Sequence, residues 1–459
     1  MSITRRLCRI ISRPVKKAYL KVSSLAPFPY SFGIKFSRKY KWLMESQWYS
    51  REQLIEFQLR SLKKIIDHAY QNVPYYRRIF DERGVKPKDI QDFTDLEKLP
   101  VLTKNDIRNH FEELTARNYR KFNPSLNHTS GSTGEPLSYY IDKDLAILIS
   151  ACVQRHWHWC GVGARDRIAV FRGTLIDDFG TKINNHWKRQ GNQLHFSTFD
   201  MKEEVISEYV KQLNNWKPNL VRGYPSSLEI LSRFISEQGL KVYRPKAIHT
   251  SSETVMQNQR EVIEKAFGSP LFDWYGHGES TVNAGECDKH EGLHLGMEFG
   301  YTEFIKTPET QNMDGIYNII STSLHNYSMP FVRYDSEDLA LLGNENCSCG
   351  RGLLLIKEII GRQADIIEGI NGVKIAPSSF VHFWKYRIAE RLSNISYAQI
   401  IQRKKATIKV RLVGEKREEN EKIIIEQLHI LLGNMQIEFE YLYQIPTGQK
   451  WRFTVSEIL

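Results

Sequence analysis

Between residues 167 and 276 short apolar runs alternate with polar loops and with two helix-spaced segments that end in glycine, without any internal sequence repeat. RIAVF (167–171) and NLVRG (219–223) read as short buried strands. SSLEILSRFISEQG (226–239) has helical spacing and a terminal glycine to close the helix. KAIHTSSE (246–253) runs from a strand into a polar loop, QNQREVIEKAFG (257–268) is a second glycine-closed helix, and LFDWYG (271–276) is the next strand. Strand, loop, helix, strand is the order of parallel α/β layers, because parallel neighbours need a long crossover. Ligands in such sheets sit at the carboxyl ends of the strands. The polar stretches 251–254 and 276–281 are where that rule points.

The rest of the chain is organised around this unit. REQLIEFQLRSLKKIIDHAYQNVPYYRRIF (51–80) has Ile55, Leu59, Leu62 and Ile66 at helical spacing, then a break at Pro74. TEFIKT (302–307) and GIYNIISTS (315–323) read as strands. Glycines and a proline interrupt the pattern over 361–380, which places a domain boundary near Asp365. Beyond it, YAQIIQ and TIKVRLVG flank the basic turn Arg403-Lys404-Lys405, and EENEKIIIEQLHILLG (418–433) is a helix followed by the strand QIEFEYLYQI. The expected division is a basic segment 1–40, a large domain 41–364 and a small α+β domain 365–459.

A length of 459 residues exceeds one hydrophobic core. The longest apolar stretches, such as Leu145 to Ile149, are far short of the roughly 20 residues a membrane span needs. The N-terminus lacks the apolar core of a secretory signal. Six cysteines are too few for a disulfide scaffold, which favours a reducing cytoplasm. Of the net charge of +11, part is gathered in Arg5, Arg6, Arg9, Arg13, Lys16, Lys17 and Lys21, interleaved with Ile3, Leu7, Ile10, Ile11, Val15 and Leu20. This segment fits either a basic helix lying on the inner face of an anionic membrane or a solvated helix packed on the domain. With no recognised nucleic-acid motif beside the charge, a nucleic-acid partner is not expected.

One stretch stands apart: NHTSGSTGEPLSYY (127–140) gathers two glycines, four hydroxyls and a proline between Thr129 and Pro136. Glycine lets backbone amides approach an anion, and Ser and Thr add short donors, so such a loop can cradle phosphate. It is not a Walker A loop, since no Gly-Lys-Ser/Thr ends it. TSGSTGEP resembles the phosphate loop of the adenylate-forming superfamily, which includes acyl-coenzyme A ligases, luciferases and peptide-synthetase adenylation domains. SSE (251–253), YGHGES (275–280), RYDSEDLALL (333–342), GRQAD (361–365) and PTGQKWR (446–452) resemble later motifs of that family, in its order. HAYQNVPYYRRIF and LPVLTKNDIR (99–108) are similar to the phenylacetate–coenzyme A ligase-like group, and within it to the capsule-biosynthesis CapK-type proteins. The resemblance spans roughly residues 40–459.

The resemblance implies a fold and a set of roles. The fold is a large N-terminal α/β domain of layered mixed sheets with helices, joined to a small mobile α+β lid. Thr129, Ser130, Gly131, Ser132, Thr133 and Gly134 would hold the β and γ phosphates of ATP. Tyr275 and Gly276 would meet the adenine, with Ser252 and Glu253 on the neighbouring turn. Glu279 would bind Mg²⁺, a hard cation that prefers carboxylate and phosphate oxygens. Asp338 would accept from both ribose hydroxyls, and Arg362 would sit beside the ribose or anchor the hinge. Asp365 would be the pivot on which Lys450 swings in to stabilise charge developing on the α-phosphate. Two departures stand out. Glu135 and Leu137 occupy positions where many relatives carry a lysine, and GQK lengthens the usual GK before Lys450.

Two more groups complete the expectation. Cys287, Cys347 and Cys349 with either His290 or His294 supply the donors of a closed structural Zn²⁺ site. His156 and Trp157, and likewise Tyr224, Pro225 and Ser226, line either a carboxylate pocket or ordinary core. Together these point to ATP- and Mg²⁺-dependent activation of a small carboxylic acid as acyl-adenylate, with coenzyme A as acceptor. The variants are an amine acceptor on an amino sugar in capsule or O-antigen synthesis, and a non-catalytic nucleotide-binding scaffold of polysaccharide assembly.

Overall fold

The computed structural model describes residues 33–128, 137–172, 186–198, 201, 203–308, 310–362, 366–370, 374–375, 380, 383–443 and 453–456. Thr129–Gly134, Asp365 and Lys450, and the basic residues 5–21, lie outside these. Among the described residues no helix is long and apolar enough to cross a membrane.

A nine-stranded sheet forms the centre of the large domain. Its middle is the parallel set Leu271–Gly276, Ala247–Ser251, Leu220–Gly223, Ile168–Arg172 and Gln193–Ser197, in that spatial order. Side chains alternate across the sheet. Ala169, Phe171, Phe196, Val221 and Ile248 face the helices Glu203–Trp216, Pro225–Glu237 and Gln257–Phe267. Ile168, Val170, Leu220, Ala247 and Phe272 face the opposite way, onto Trp157 and Cys160 at the end of the helix Lys143–Trp159. Gly268 closes its helix with a φ of 64°, the left-handed conformation that a side chain disfavours. Gly223 is needed for a different reason: a Cβ there would stand 2.8 Å from the Phe171 carbonyl oxygen.

The N-terminal helices pack on this body. Arg51–Asn72 begins with a capping box, Ser50 Oγ accepting from the Gln53 amide at 3.3 Å and Gln53 Oε1 accepting from the Ser50 amide at 3.0 Å. Its buried stripe is Leu54, Gln58, Leu62, Ile65, Ile66 and Ala69, whereas Ile55 is exposed. The expected face was therefore about one residue out of phase: Gln58 is buried because its amide donates to the Gly300 carbonyl at 2.7 Å. Ile34–Ser46 is a single helix that runs through residue 40. Ser125–His128 and Ser138–Ile141 pair antiparallel, so the hydroxyl-rich stretch joins the two strands of a hairpin.

A second, antiparallel sheet orders Gly300–Ile305, Ile316–Ser323, Tyr334–Leu341 and Glu358–Arg362. The C-terminal part has its own four-stranded sheet and its own core of Ile400, Ile408, Val410, Leu412, Ile424 and Leu428. It touches the large domain where Tyr397 lies 5.2 Å from the Arg233 guanidinium and where Met256 packs on its core.

Candidate active site

The carboxyl ends of the parallel strands and one edge of the antiparallel sheet meet, and most of the expected residues meet there too. Tyr275 ends its strand half-buried, and its hydroxyl donates to Asp338 Oδ2 at 2.8 Å across a gap of 63 residues in sequence. Asp338 is held opposite Arg362 by strand register. Gly276, the next residue, is exposed, which leaves the rim beside Tyr275 open.

Glu279 follows in the loop and is buried, its Oε1 accepting from the Tyr334 hydroxyl at 2.7 Å. His277 Nδ1 stands 3.2 Å from the other carboxylate oxygen. Burial alone would raise this carboxyl, but the His277 imidazole and the Tyr334 hydroxyl outweigh it and hold Glu279 down at about 2. Glu279 is thus a buried carboxylate that stays ionised, which suits a divalent cation. Gly278 lies against the Tyr139 hydroxyl so closely that a Cβ could not fit. That contact fixes the Glu279 loop against the hairpin that carries the hydroxyl-rich stretch.

Two groups that the sequence kept separate turn out to be one. Glu253 accepts from the Ser226 amide and from the Ser226 hydroxyl, both at 3.0 Å. Its carboxylate therefore caps the first turn of Pro225–Glu237, where the helix dipole favours an anion. Ser252, beside it, is exposed with a φ of 76°. Tyr224 is half-buried and faces the Arg172 guanidinium, 5.7 Å from its ring, while Pro225 is buried.

His156 and Trp157 lie deeper, in the layer between helix and sheet. His156 is fully buried: Nε2 meets the Glu286 carbonyl at 2.8 Å and Nδ1 meets His249 Nε2 at 3.1 Å. Gly285 makes room for it, because a Cβ there would fall 2.5 Å from the ring. Burial lowers the His156 imidazole to about 4. Sequence reasoning passed over His277, Arg172, Arg222 and His249. The signal was there, since each stands in or just past a strand that had been identified.

The cysteine–histidine group assembles at the far edge of the large sheet. The donor atoms of Cys287, His294, Cys347 and Cys349 all lie within 4.8 Å of one another. Cys287 and Cys347 Sγ are 3.7 Å apart, and Cys349 Sγ is 3.4 Å from His294 Nε2. Zn–S and Zn–N bonds in a tetrahedron give edges of about 3.8 and 3.6 Å, so the set has the dimensions of a closed zinc site. The choice left open between two histidines falls on His294: its strand Leu293–Leu295 pairs with the strand that precedes Cys287, whereas His290 turns to Glu286, 3.5 Å away.

Comparison with known proteins places the fold and the chain's relatives. Residues 368–457 match the family profile of the CapK C-terminal domain. Protein CapK of Staphylococcus aureus is 26% identical over 424 residues, 88% of this chain and 90% of that one. A phenylacetate–coenzyme A ligase of Thermus thermophilus is 24% identical over 337 residues, 72% of this chain and 74% of its own. Among solved structures, 2-hydroxyisobutyryl-CoA ligase in its postadenylation state superposes with a TM-score of 0.69 at 18% identity, covering 95% of this chain and 94% of that one. The chain's homologues are CapK and the phenylacetate–coenzyme A ligases, and its fold is that of the adenylate-forming ligases.

Proposed function

We propose that the chain couples ATP to a small carboxylic acid in two steps. The acid's carboxylate oxygen attacks the α-phosphorus and pyrophosphate leaves; a nucleophile then attacks the acyl carbon of the adenylate and AMP leaves. Coenzyme A, through its thiol, is the acceptor this reading favours. The observation that carries it is the meeting of Tyr275 and Asp338, with Glu279 beside them, at the carboxyl ends of the parallel strands. Tyr275 offers a ring for adenine and Asp338 a carboxylate for the ribose hydroxyls. Glu279, kept ionised, would hold Mg²⁺, which neutralises phosphate charge. Thr129 to Gly134 would hold the β and γ phosphates with amides and hydroxyls, and Asp365 would be the pivot for Lys450. The expected cofactors are therefore ATP, Mg²⁺ and a structural Zn²⁺ on Cys287, His294, Cys347 and Cys349.

The test is a panel of carboxylic acids assayed for acid-dependent exchange between pyrophosphate and ATP. At least one acid should support exchange. Lys450→Ala should lose on the order of 100-fold or more, as a positioned charge at a transition state does, while ATP still binds. Unchanged exchange in that variant would remove Lys450 from the chemistry. A second reading, an amino-sugar amine as acceptor in capsule synthesis, draws on the CapK match of the C-terminal domain. AMP release driven by an amino sugar and not by coenzyme A would favour it.

A further inference from the structure

Above the apolar layer around Trp157, the same face of the sheet turns basic. Strand register sets Arg222 beside His249 on one side and beside Val170 on the other, and Val170 beside His195. Arg172 stands two residues beyond Val170, at the end of its strand. Because side chains alternate, Arg172, Arg222, His195 and His249 share the face on which Ile168, Leu220 and Ala247 make core. The lower part of this face is closed by Trp157, which the Arg222 guanidinium covers at 5.3 Å. The upper part lies toward the strand ends, with Arg222 two strands away from Tyr275.

Among the described residues the two arginines lack acidic partners. Arg172 donates to Ser251 Oγ and lies over Tyr224, but its Nε is shut off from solvent without an acceptor. Arg222 Nε is likewise enclosed and unpaired. Among the described residues neither arginine forms an ion pair. Burial, with the Arg172 charge beside it, pulls the Arg222 guanidinium down to about 9. The histidines add no charge to the pair. The Glu286 carbonyl can only accept, so His156 carries its proton on Nε2 and its Nδ1 accepts from His249 Nε2. That leaves His249 Nδ1 an unprotonated acceptor, buried with no donor among the described residues, so the anion-seeking groups here are the two arginines. Two enclosed N–H donors, on two like charges of adjacent strands, stand toward the carboxyl end of a parallel sheet. Unpaired buried charge is costly unless a counter-ion arrives.

We propose that Arg172 and Arg222 bind a second anionic group on the acid substrate, so that the preferred substrate is a dicarboxylic or similarly two-headed acid. This rests on the reading of the chain as a carboxylate-activating ligase. The reacting carboxylate points toward Tyr275, Glu279 and the nucleotide; the distal anion lies two strands away, roughly 10 Å along the sheet, against the planar forks of the arginines. Ser251 and Tyr224 hold Arg172 in place, and Trp157 backs Arg222.

The experiment pairs acids of equal length: succinate with butyrate, glutarate with valerate, adipate with hexanoate. Each is titrated calorimetrically into the protein without nucleotide, and each is assayed for pyrophosphate exchange. At least one diacid should bind, and should exceed its monoacid by about 30-fold or more in kcat/KM, the range of a buried charged hydrogen-bond pair. R222Q should bring that ratio near one, and R222K should keep part of it. Should R222Q not fold, R172Q is read in its place. Monoacids outperforming diacids, no diacid binding, or a ratio unmoved in R222Q would each overturn the proposal while leaving the ligase reading intact. An R222Q that weakens ATP binding as much as acid use would assign the arginines to nucleotide phosphates and also overturn it. Diacid binding that R222Q abolishes, with no acid supporting exchange, would uphold the anion site and sink the ligase reading instead.

Discussion

Arg155 is buried and Arg222 half-buried with its Nε enclosed, and the two differ in their partners. Arg155, on Lys143–Trp159, meets Glu298 at 2.6 Å with side-chain exposures of 3% and 1%. Glu298 also accepts from the Ser46 hydroxyl at 2.7 Å, and the Leu43 carbonyl takes a further Arg155 N–H at 3.3 Å. That set ties the helix Ile34–Ser46 to the body and leaves little for a ligand to do. Arg222 has a neighbouring cation, aromatic faces and an unused N–H. One cluster is complete within the chain and serves the fold. The other is incomplete among the described residues, which is what the proposed anion site needs.

The largest effect should come from breaking the complete cluster. Arg155→Met strands Glu298 in the core, and removal of one partner of a buried pair costs about 3–5 kcal/mol. Urea unfolding would show it; a loss under about 1 kcal/mol would mean that Glu298 simply takes up a proton. The cysteine–histidine group should come next. Cys347→Ser should abolish stoichiometric zinc and cost roughly 3 kcal/mol. Metal analysis of unchelated protein comes first, because absence of zinc in the wild type would withdraw that prediction.

Acid should treat the two regions alike. His156 beside the open cluster and His325 beside the closed one, its Nε2 2.8 Å from the Glu298 carbonyl, are both held near 4 by burial. A histidine with a folded value below its unfolded one takes up its proton more readily when unfolded. Stability is therefore intact above about pH 6.5 and falls as pH drops toward 4, by roughly 2 kcal/mol per histidine at pH 5. His156→Gln and His325→Gln should each flatten the curve over that interval; a curve equally steep in both variants would place the titration elsewhere.

How much of this was legible beforehand depends on what hides a residue. The parallel strands and the helices closed at Gly239 and Gly268 were readable, because each element is short, apolar on its inner face and punctuated. The helix Lys143–Trp159 was not. Leu145, Leu148, Ala151, Cys152, Gln154, Arg155, His156, Trp157 and Trp159 are all buried, so it has no clean polar stripe to give a period. Gln58 and Ile55 mislead in the same way: a hydrogen bond to Gly300 buries the polar residue and leaves the apolar one outside. In the site, Tyr275, Glu279, Tyr334 and Asp338 could be picked out singly. Their pairing could not, since sheets bring together residues 55 and 63 positions apart. Arg172 and Arg222 looked like ordinary strand ends because sequence shows a charge without showing whether it has a partner.

The smallest effect carries the sharpest sign. Replacing Arg155 by methionine must destabilise, since it leaves a buried carboxylate behind. Replacing Arg222 by methionine leaves no charge orphaned and relieves repulsion from Arg172. Apolar replacements of buried ionic groups are frequently neutral or stabilising. Arg222→Met should therefore hold or raise the unfolding free energy, by up to about 1 kcal/mol, in the same urea experiment that shows a loss for Arg155→Met. Opposite signs from the same chemical change would show that one arginine is kept for the fold and the other against it. A loss above about 2 kcal/mol for Arg222→Met would mean that its N–H groups have a counter-charge in the folded chain already, and the two clusters would then be the same kind of thing.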